Sequence, residues 1–336
     1  MDELSLLQAM RAKTPAASDA TVEKGRRKLL QHMAPTLAPA QPKRRPRTAM
    51  RIGLASVATA AVVAALVAGD ILGPTGWRGA ATAQAAQILN EAAQTTIQTS
   101  DPVVNPGQYL KIESTNINGS SFQDENRNEY HWLEREKGTM YVPANRDDEW
   151  VWERSTRVPT TFFDETTKEI ALSMQSTEAK GELLRGKNGT FYGGSPFTSS
   201  SYLSSLPRDP YLLLNNIYKR TLGSGQSIDG EAIVFIADLL RTGIVPADLR
   251  AALYKAAALI PGVTITDDQA TLDGRKGIAI GRVEDASHFR QDLIIDPKTG
   301  LLIGERHVLT QPLGSIPTGT AVTWTGIKTS VSDKAP

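Results

Sequence analysis

The stretch closest to a chemical motif in this 336-residue chain is GELLRGKN, residues 181–188. A phosphate-binding loop needs glycines so that backbone N–H groups can close on the anion, a lysine for the outer phosphates and a hydroxyl for magnesium. Gly181, Gly186 and Lys187 have that spacing, but Asn188 stands where the hydroxyl belongs, and Leu183, Leu184 and Arg185 fill the loop. No strand pattern leads in and no clear helix follows, so the expected element is a turn at Asn188-Gly189. The four histidines, His32, His131, His288 and His307, fall in no metal-ligand spacing. His131 shares a strand face with Glu129, which could tune it, although a solvated strand histidine is the plainer reading. The carboxylate groups at 147–149 (DDE) and 266–274 (TDDQATLDG) do not follow a calcium-loop pattern and read as solvated turns. GGSPF at 193–197 lacks the second glycine of a nucleophile elbow, which leaves Ser195 as a loop serine. NGS at 118–120 and NGT at 188–190 match the glycosylation sequon and also read as turns.

Cysteine is absent, which excludes disulfides, thiolate metal sites, a cysteine nucleophile and a lipid-modified cysteine anchor. No catalytic residue, metal ligand or cofactor site is therefore expected. An enzyme would need a constellation assembled only in space, for example carboxylates converging around Asp147 or Glu134. Trp132, Trp150, Trp152 and Trp324 all fall in alternating strand patterns. They have two readings, sheet core or the lining of an apolar cavity. Aromatics make up 6% of the chain, and no basic patch interleaves with them in the body, so nucleic-acid binding is not expected.

The elements that must hold these residues divide the chain unevenly. The net charge of +1 conceals a basic head of about +6 over residues 1–50 and a body of about −5. Residues 1–34 read as two short amphipathic helices, with Leu4, Leu7 and Met10 on the first and Val22, Leu29 and Met33 on the second. They are too small to fold alone, so these residues are candidates for docking a partner. Residues 35–50, rich in Pro and Arg, read as an extended tether. Lys43, Arg44, Arg45, Arg47 and Arg51 end it at a membrane surface, where they set topology and meet anionic headgroups.

The stretch MRIGLASVATAAVVAALVAGDILG, residues 50–73, decides the topology. Ile52 to Gly69 is uncharged and just long enough to span a bilayer, which makes 51–72 a transmembrane helix with the N-terminus inside and the bulk outside. A cleaved signal is the rival. Its charged leader would be far too long, and the A-x-A at 81–83 lies well beyond the apolar run. A buried Ala/Val helix is a third reading.

Residues 79–331 then form one α+β domain. ATAQAAQILNEAAQTTIQT predicts a helix with Ala85, Ile88, Leu89, Ala92, Thr96 and Ile97 on its apolar stripe. GQYLKIEST alternates, with Leu110 and Ile112 on one face. NEYHWLERE and GTMYVP read as a hairpin about Lys137-Gly138, and DDEWVWERSTRV as one further strand. Helices are expected in 167–177, 206–222, 229–243 and 246–260, and strands in 262–283, 290–309 and 319–331. DPKTG at 296–300 predicts a turn in which Gly300 takes positive φ.

Two resemblances follow from these residues. DELSLLQAMRA, the Ala/Val span, ATAQAAQILNEAA, PGQYLKIES, LPRDPYLLL, LRAALYKAAALIPGV and LIIDPKTGLLIGER are similar to signposts of an uncharacterised family of actinobacterial single-span membrane proteins. That likeness covers nearly the whole chain and implies no activity. Over about 80–330, the order of helix, strand meander, helices and strands, with LIIDPKTGL at 293–301, resembles the LolA-like group of lipoprotein carriers and related sensor domains. This second resemblance implies an antiparallel half-barrel sheet covered by helices around an apolar cavity.

The resulting expectation is a single-pass membrane protein whose outer domain senses a ligand or protein. Its short inner segment would engage a cytoplasmic regulator such as a sigma factor. The alternative is an anchored lipid- or lipoprotein-binding envelope module. An extracytoplasmic enzyme is the third reading.

Overall fold

A computed structural model describes residues 79–99, 101–175, 180–192 and 199–336. The expected helices of 1–34, the tether, the basic cluster, the span 51–72 and Ser195 lie outside these residues. Among the described residues no helix is long and apolar enough to cross a membrane.

The described chain opens with α1 (Ala83–Gln98), started by the Thr82 hydroxyl, which accepts from the Ala85 N–H. Next come β1 (Tyr109–Gln123), β2 (Glu129–Pro143), β3 (Glu149–Arg154), β4 (Val158–Phe162), α2 (Glu165–Met174) and β5 (Glu182–Lys187). A helical middle follows, with α3 (Ser200–Ser205), α4 (Pro210–Thr221), α5 (Ile228–Leu240) and α6 (Ala247–Ala257). The chain closes with β6 (Thr264–Leu272), β7 (Arg275–Glu284), β8 (Phe289–Ile295), β9 (Leu302–Leu309) and β10 (Ala321–Ser332). Local chemistry sets the helix starts. Asp164, Asp209 and Ser227 each cap a first turn with a side-chain oxygen, and Pro210 follows Asp209 where a proline costs no hydrogen bond.

All ten strands join one open antiparallel sheet, ordered β5-β3-β2-β1-β10-β9-β8-β7-β6, with β4 also on β2. The fold is α+β, as expected. The first and last strands meet in mid-sheet, in register from Tyr109↔Ser332 to Ile117↔Trp324. Helices α1, α4, α5 and α6 pack on this sheet through the main core, where Leu89, Leu213, Ile236, Leu253 and Tyr254 are fully buried. Of the expected stripe on α1, Ala85, Leu89, Ala92 and Thr96 are buried and Ile88 is half-buried, while Ile97 in the last turn is 57% exposed.

Three strand expectations change. There is no hairpin at Lys137-Gly138, because β2 runs unbroken from Glu129 to Pro143. Gly138 marks a close approach between strands. A Cβ there would lie 2.9 Å from the Ser114 hydroxyl and 3.2 Å from Trp152 Nε1, so only hydrogen fits. The hairpin turn falls instead at 124–128, where the Asp124 carboxylate accepts from the Asn126 and Asn128 N–H groups and Arg127 takes φ 66°. The single strand expected over 147–158 is two, since β3 ends at Arg154 and β4 begins at Val158. Asn188-Gly189 does form a turn, both residues at positive φ, but β5 pairs with β3 and not with a strand beyond the turn.

Candidate functional site

The described part of the chain encloses a cavity of about 950 Å³ between the sheet and the α5–α6 connection. Strand alternation supplies one wall. Leu110 on β1, Val142 on β2, Ile278 on β7, Leu302 on β9 and Ile327 on β10 are apolar and project into it. The expected pairing of Leu110 with Ile112 on one buried face holds, and Leu110 lies opposite Val142 in the β1–β2 register.

The opposite wall is the end of α5 and the loop after it: Leu240, Gly243, Ile244 and Val245. Gly243 turns this loop at φ 71°, close enough to the sheet that a Cβ would stand 3.0 Å from Ile112 Cγ2. Arg250 on α6 then fastens the loop. Its guanidinium donates to the Val245 carbonyl at 2.8 Å, to Asp101 Oδ1 at 2.7 Å and to the Thr96 hydroxyl. Asp101 Oδ2 also accepts from the Ala247 N–H at 2.8 Å, so one carboxylate ties the α1–β1 linker to the start of α6. At the third side lies the DPKTG turn. Asp296 accepts from the Lys298 N–H and the Thr299 hydroxyl, and Gly300 takes φ 66° as expected. Any larger residue at 300 would meet α1, because a Cβ would lie 2.5 Å from the Ala92 carbonyl.

The rim is basic. Arg146, Arg250, Arg275, Lys276, Lys298 and Lys328 line the cavity against three carboxylates, Asp101, Asp268 and Asp296. Two of these cations stand apart. Arg146, half-buried in the β2–β3 loop, gives no side-chain hydrogen bond and no ion pair to any described residue. Burial pulls its pKa down, and Asp101 opposes this only at a distance. Arg275, at the start of β7, donates to the Ile303 carbonyl at 2.9 Å. Burial lowers its pKa too, against the pull of Asp273 and Asp296. Both remain cations at any physiological pH. Half-buried guanidinium groups without a carboxylate partner are poorly solvated and free to meet an anion.

Of the stretches singled out in sequence for their chemistry, only 266–274 reaches this cavity, through Asp268 and Gln269; the other described ones lie elsewhere. None of the four tryptophans lines this cavity. Trp150 is 1% exposed and donates to the Arg146 carbonyl at 2.8 Å, so it supports the loop that carries Arg146. Trp132 is buried and donates to Glu134 at 2.9 Å. Trp152 packs against Phe191 and under the Arg154 guanidinium, while Trp324 packs between two small outer clusters. His131 pairs with Glu129 at 3.4 Å. Asp267 meets Arg306 at 3.4 Å, and Asp292, wholly buried, accepts from Arg290 at 2.8 Å, Arg306 at 2.8 Å and Thr266 at 2.8 Å. Asp147 and Glu134 line none of the cavities described here. Among the described residues no three His, Cys, Asp or Glu side chains are disposed to hold a metal ion.

The sequence reading missed Arg146, Arg275 and the loop 240–245. Arg146 has only a faint local signal, a basic residue in a turn beside a buried tryptophan. Arg275 follows the Asp273-Gly274 turn that joins β6 to β7, both turn residues at positive φ.

No protein-family model and no curated protein matches this chain. Among solved structures it is similar to the MucA/MucB complex of Pseudomonas aeruginosa, with 10% identity, 76% of this chain, 59% of that chain and a TM-score of 0.28. A second structure, MucB in complex with MucA(peri), gives 9% identity, 75% and 57% coverage and a TM-score of 0.26. A DUF1329 family protein from Desulfovibrio piger gives 10% identity, 73% and 92% coverage and a TM-score of 0.18. This chain thus spans under three-fifths of the MucB-containing chains. At such TM-scores these likenesses carry no argument, and the class rests on the geometry itself: an open antiparallel sheet carrying helices, with an apolar cavity and a basic rim.

Proposed function

We propose that this chain is a membrane-anchored sensor whose outer domain binds an amphipathic anion in the large cavity. The observation that carries the reading is the pairing of aliphatic walls with two half-buried arginines that have no carboxylate partner among the described residues, in a space of about 950 Å³. That volume is at the upper end of small-molecule sites, roughly 300–1,000 Å³. The walls accept a hydrocarbon chain and Arg146 and Arg275 accept its anionic head. In this reading residues 1–34 dock a cytoplasmic regulator, 51–72 anchor the chain, and binding outside shifts the inner segment's partner. No step of it requires bond-making chemistry.

The test is native mass spectrometry on full-length protein purified in a neutral detergent. Titration compares lysophosphatidylglycerol with lysophosphatidylcholine of the same acyl length. Tighter binding of the anionic lipid by about tenfold or more supports the reading, since one charged contact is worth at least ~1.4 kcal/mol. Equal binding of both lipids removes the role given to the arginines. Absence of binding to either removes the amphiphile, and capture of an envelope protein by the same face would then favour a protein-binding domain.

A further inference from the structure

A second cavity, of about 370 Å³, lies on the same sheet but between the first turns of α5 and strands β7–β9, with none of its walls shared with the first. Ile233, Val234 and Phe289 give it apolar wall, and several polar groups are set among them. On β7, Arg282 is engaged through two of its nitrogens: Nε donates to the Pro261 carbonyl at 3.0 Å, and Nη1 donates to Glu284 at 2.7 Å and to the Ser227 hydroxyl at 3.2 Å. Glu284 also accepts from Ser227. In this Arg–Glu–Ser set the one guanidinium among the described lining residues is already charge-paired with Glu284.

The acceptors, by contrast, are unspent. Gln291 on β8 is more than nine-tenths buried, and its Oε1 has no hydrogen-bond partner among the described residues. Its Nε2 donates to Glu305 at 2.7 Å, which orients the amide and leaves the carbonyl as the unused end. An unmet buried acceptor costs about 1–3 kcal/mol, so it calls for a donor. Directly across the β8–β9 ladder from Gln291 stands His307, whose ring nitrogens bond to no described residue. Glu231, in the first turn of α5, pairs with no described cation. Phe289 adds an aromatic ring beside His307, centroids 6.4 Å apart.

From this set we propose that the cavity is a site for a small organic cation bearing N–H donors, an alkylammonium or guanidinium group. The donors meet Gln291 Oε1 and the imidazole, Glu231 balances the charge, and Phe289 offers a cation–π face. An anion would meet Glu231 and Glu284, and the Arg282 charge that could offset them is already paired with Glu284. Among the described residues no three His, Cys, Asp or Glu side chains are disposed to hold a metal ion there.

The test uses the full-length chain in isothermal titration with four probes: n-butylammonium, n-butylguanidinium, tetramethylammonium and butyrate. The two N–H cations should bind at least about tenfold more tightly than the other two. Glu231→Gln, at a side chain that makes no bond to lose, should weaken them by about tenfold. Val234→Trp, which fills the cavity from α5, should abolish binding. Gln291→Leu should do the same as Glu231→Gln, with its thermal melt as a check on folding. Tetramethylammonium or butyrate binding as well as the N–H cations overturns the proposal. So does binding that survives Val234→Trp, and so does no binding at about 10 mM, which leaves a water as the partner of Gln291.

Discussion

Replacing Arg146 with methionine should move stability and binding in opposite directions. The guanidinium is half-buried at the cavity rim and gives no hydrogen bond or ion pair to any described residue. Burial alone is the leading cause that lowers its pKa. Methionine keeps much of the length and the apolar stem, so the stem's packing is retained while the poorly solvated charge is removed. The empty protein should therefore gain about 0.5–1 kcal/mol, in line with the cost of holding a desolvated charge for function. For a domain of this size that is a rise in Tm of about 1–4 °C. The same change removes one charge-assisted hydrogen bond to an anionic head, about 1.5–3 kcal/mol, or roughly 10- to 150-fold in Kd. Differential scanning calorimetry of ligand-free, full-length protein reads the first effect. Lysophosphatidylglycerol titration by native mass spectrometry reads the second. A fall in Tm would mean that Arg146 holds the fold and is not a vacant anchor. An unchanged Kd together with a raised Tm would refute its role as the receiving cation.

Other outcomes follow from single contacts. Arg250→Met strands the Thr96 hydroxyl, the Val245 carbonyl and Asp101 together, and urea denaturation should show a loss of about 2–4 kcal/mol; a loss below about 0.5 kcal/mol would show that the clasp is idle. Gly138→Val forces a side chain into Ser114 and Trp152 and should cost about 1–3 kcal/mol in the same assay. Burial, chiefly, holds the His307 pKa below the ordinary histidine value of about 6.5. The unfolded chain then takes up the proton first, so stability should fall as pH drops below about 6.5 and level off below the folded pKa. His307→Phe should flatten that part of the melting profile, and an unchanged slope would show that His307 is not its source. Burial raises the Glu305 pKa, with the opposite sign, so Glu305→Gln should remove a loss of stability as pH rises above about 4.5.

What could be read from the sequence was what neighbouring residues decide. The DPKTG turn was legible because Asp296, Thr299 and Gly300 make the turn among themselves. The helices expected over 206–222 and 229–243 were legible because their apolar spacing and the Asp or Pro near each start lie within the segment itself. Gly138 misled because glycine has two uses, to bend a chain or to let one pass close by, and the Ser114 and Trp152 side chains that choose between them lie on other strands. An apolar cavity was implied by the resemblance, but which residues wall it was illegible for the same reason. Leu110, Val142, Ile244 and Ile327 come from four separate elements, and each alone is only another buried aliphatic residue. The tryptophans drew attention by size, whereas the walls of the large cavity are aliphatic and its rim carries Arg146 and Arg275, whose lack of a carboxylate partner among the described residues is a fact of three dimensions.

The mid-sheet seam between β1 and β10 has a consequence for how the domain is made. Its two halves, β5-β3-β2-β1 and β10 to β6, are each built from strands near one another in the chain, but they join only through residues more than two hundred positions apart. During synthesis β1 leaves the ribosome early and must wait with an unpaired edge until the last strand arrives. Long-range pairing of this kind is slow and leaves an edge open to wrong partners. Leu110 and Ile327 lie on opposite sides of that seam, so the large cavity is completed by the final strand. A chain cut short before β10 should keep many of its local turns and helices yet have no pocket to fill, so binding competence marks a finished molecule.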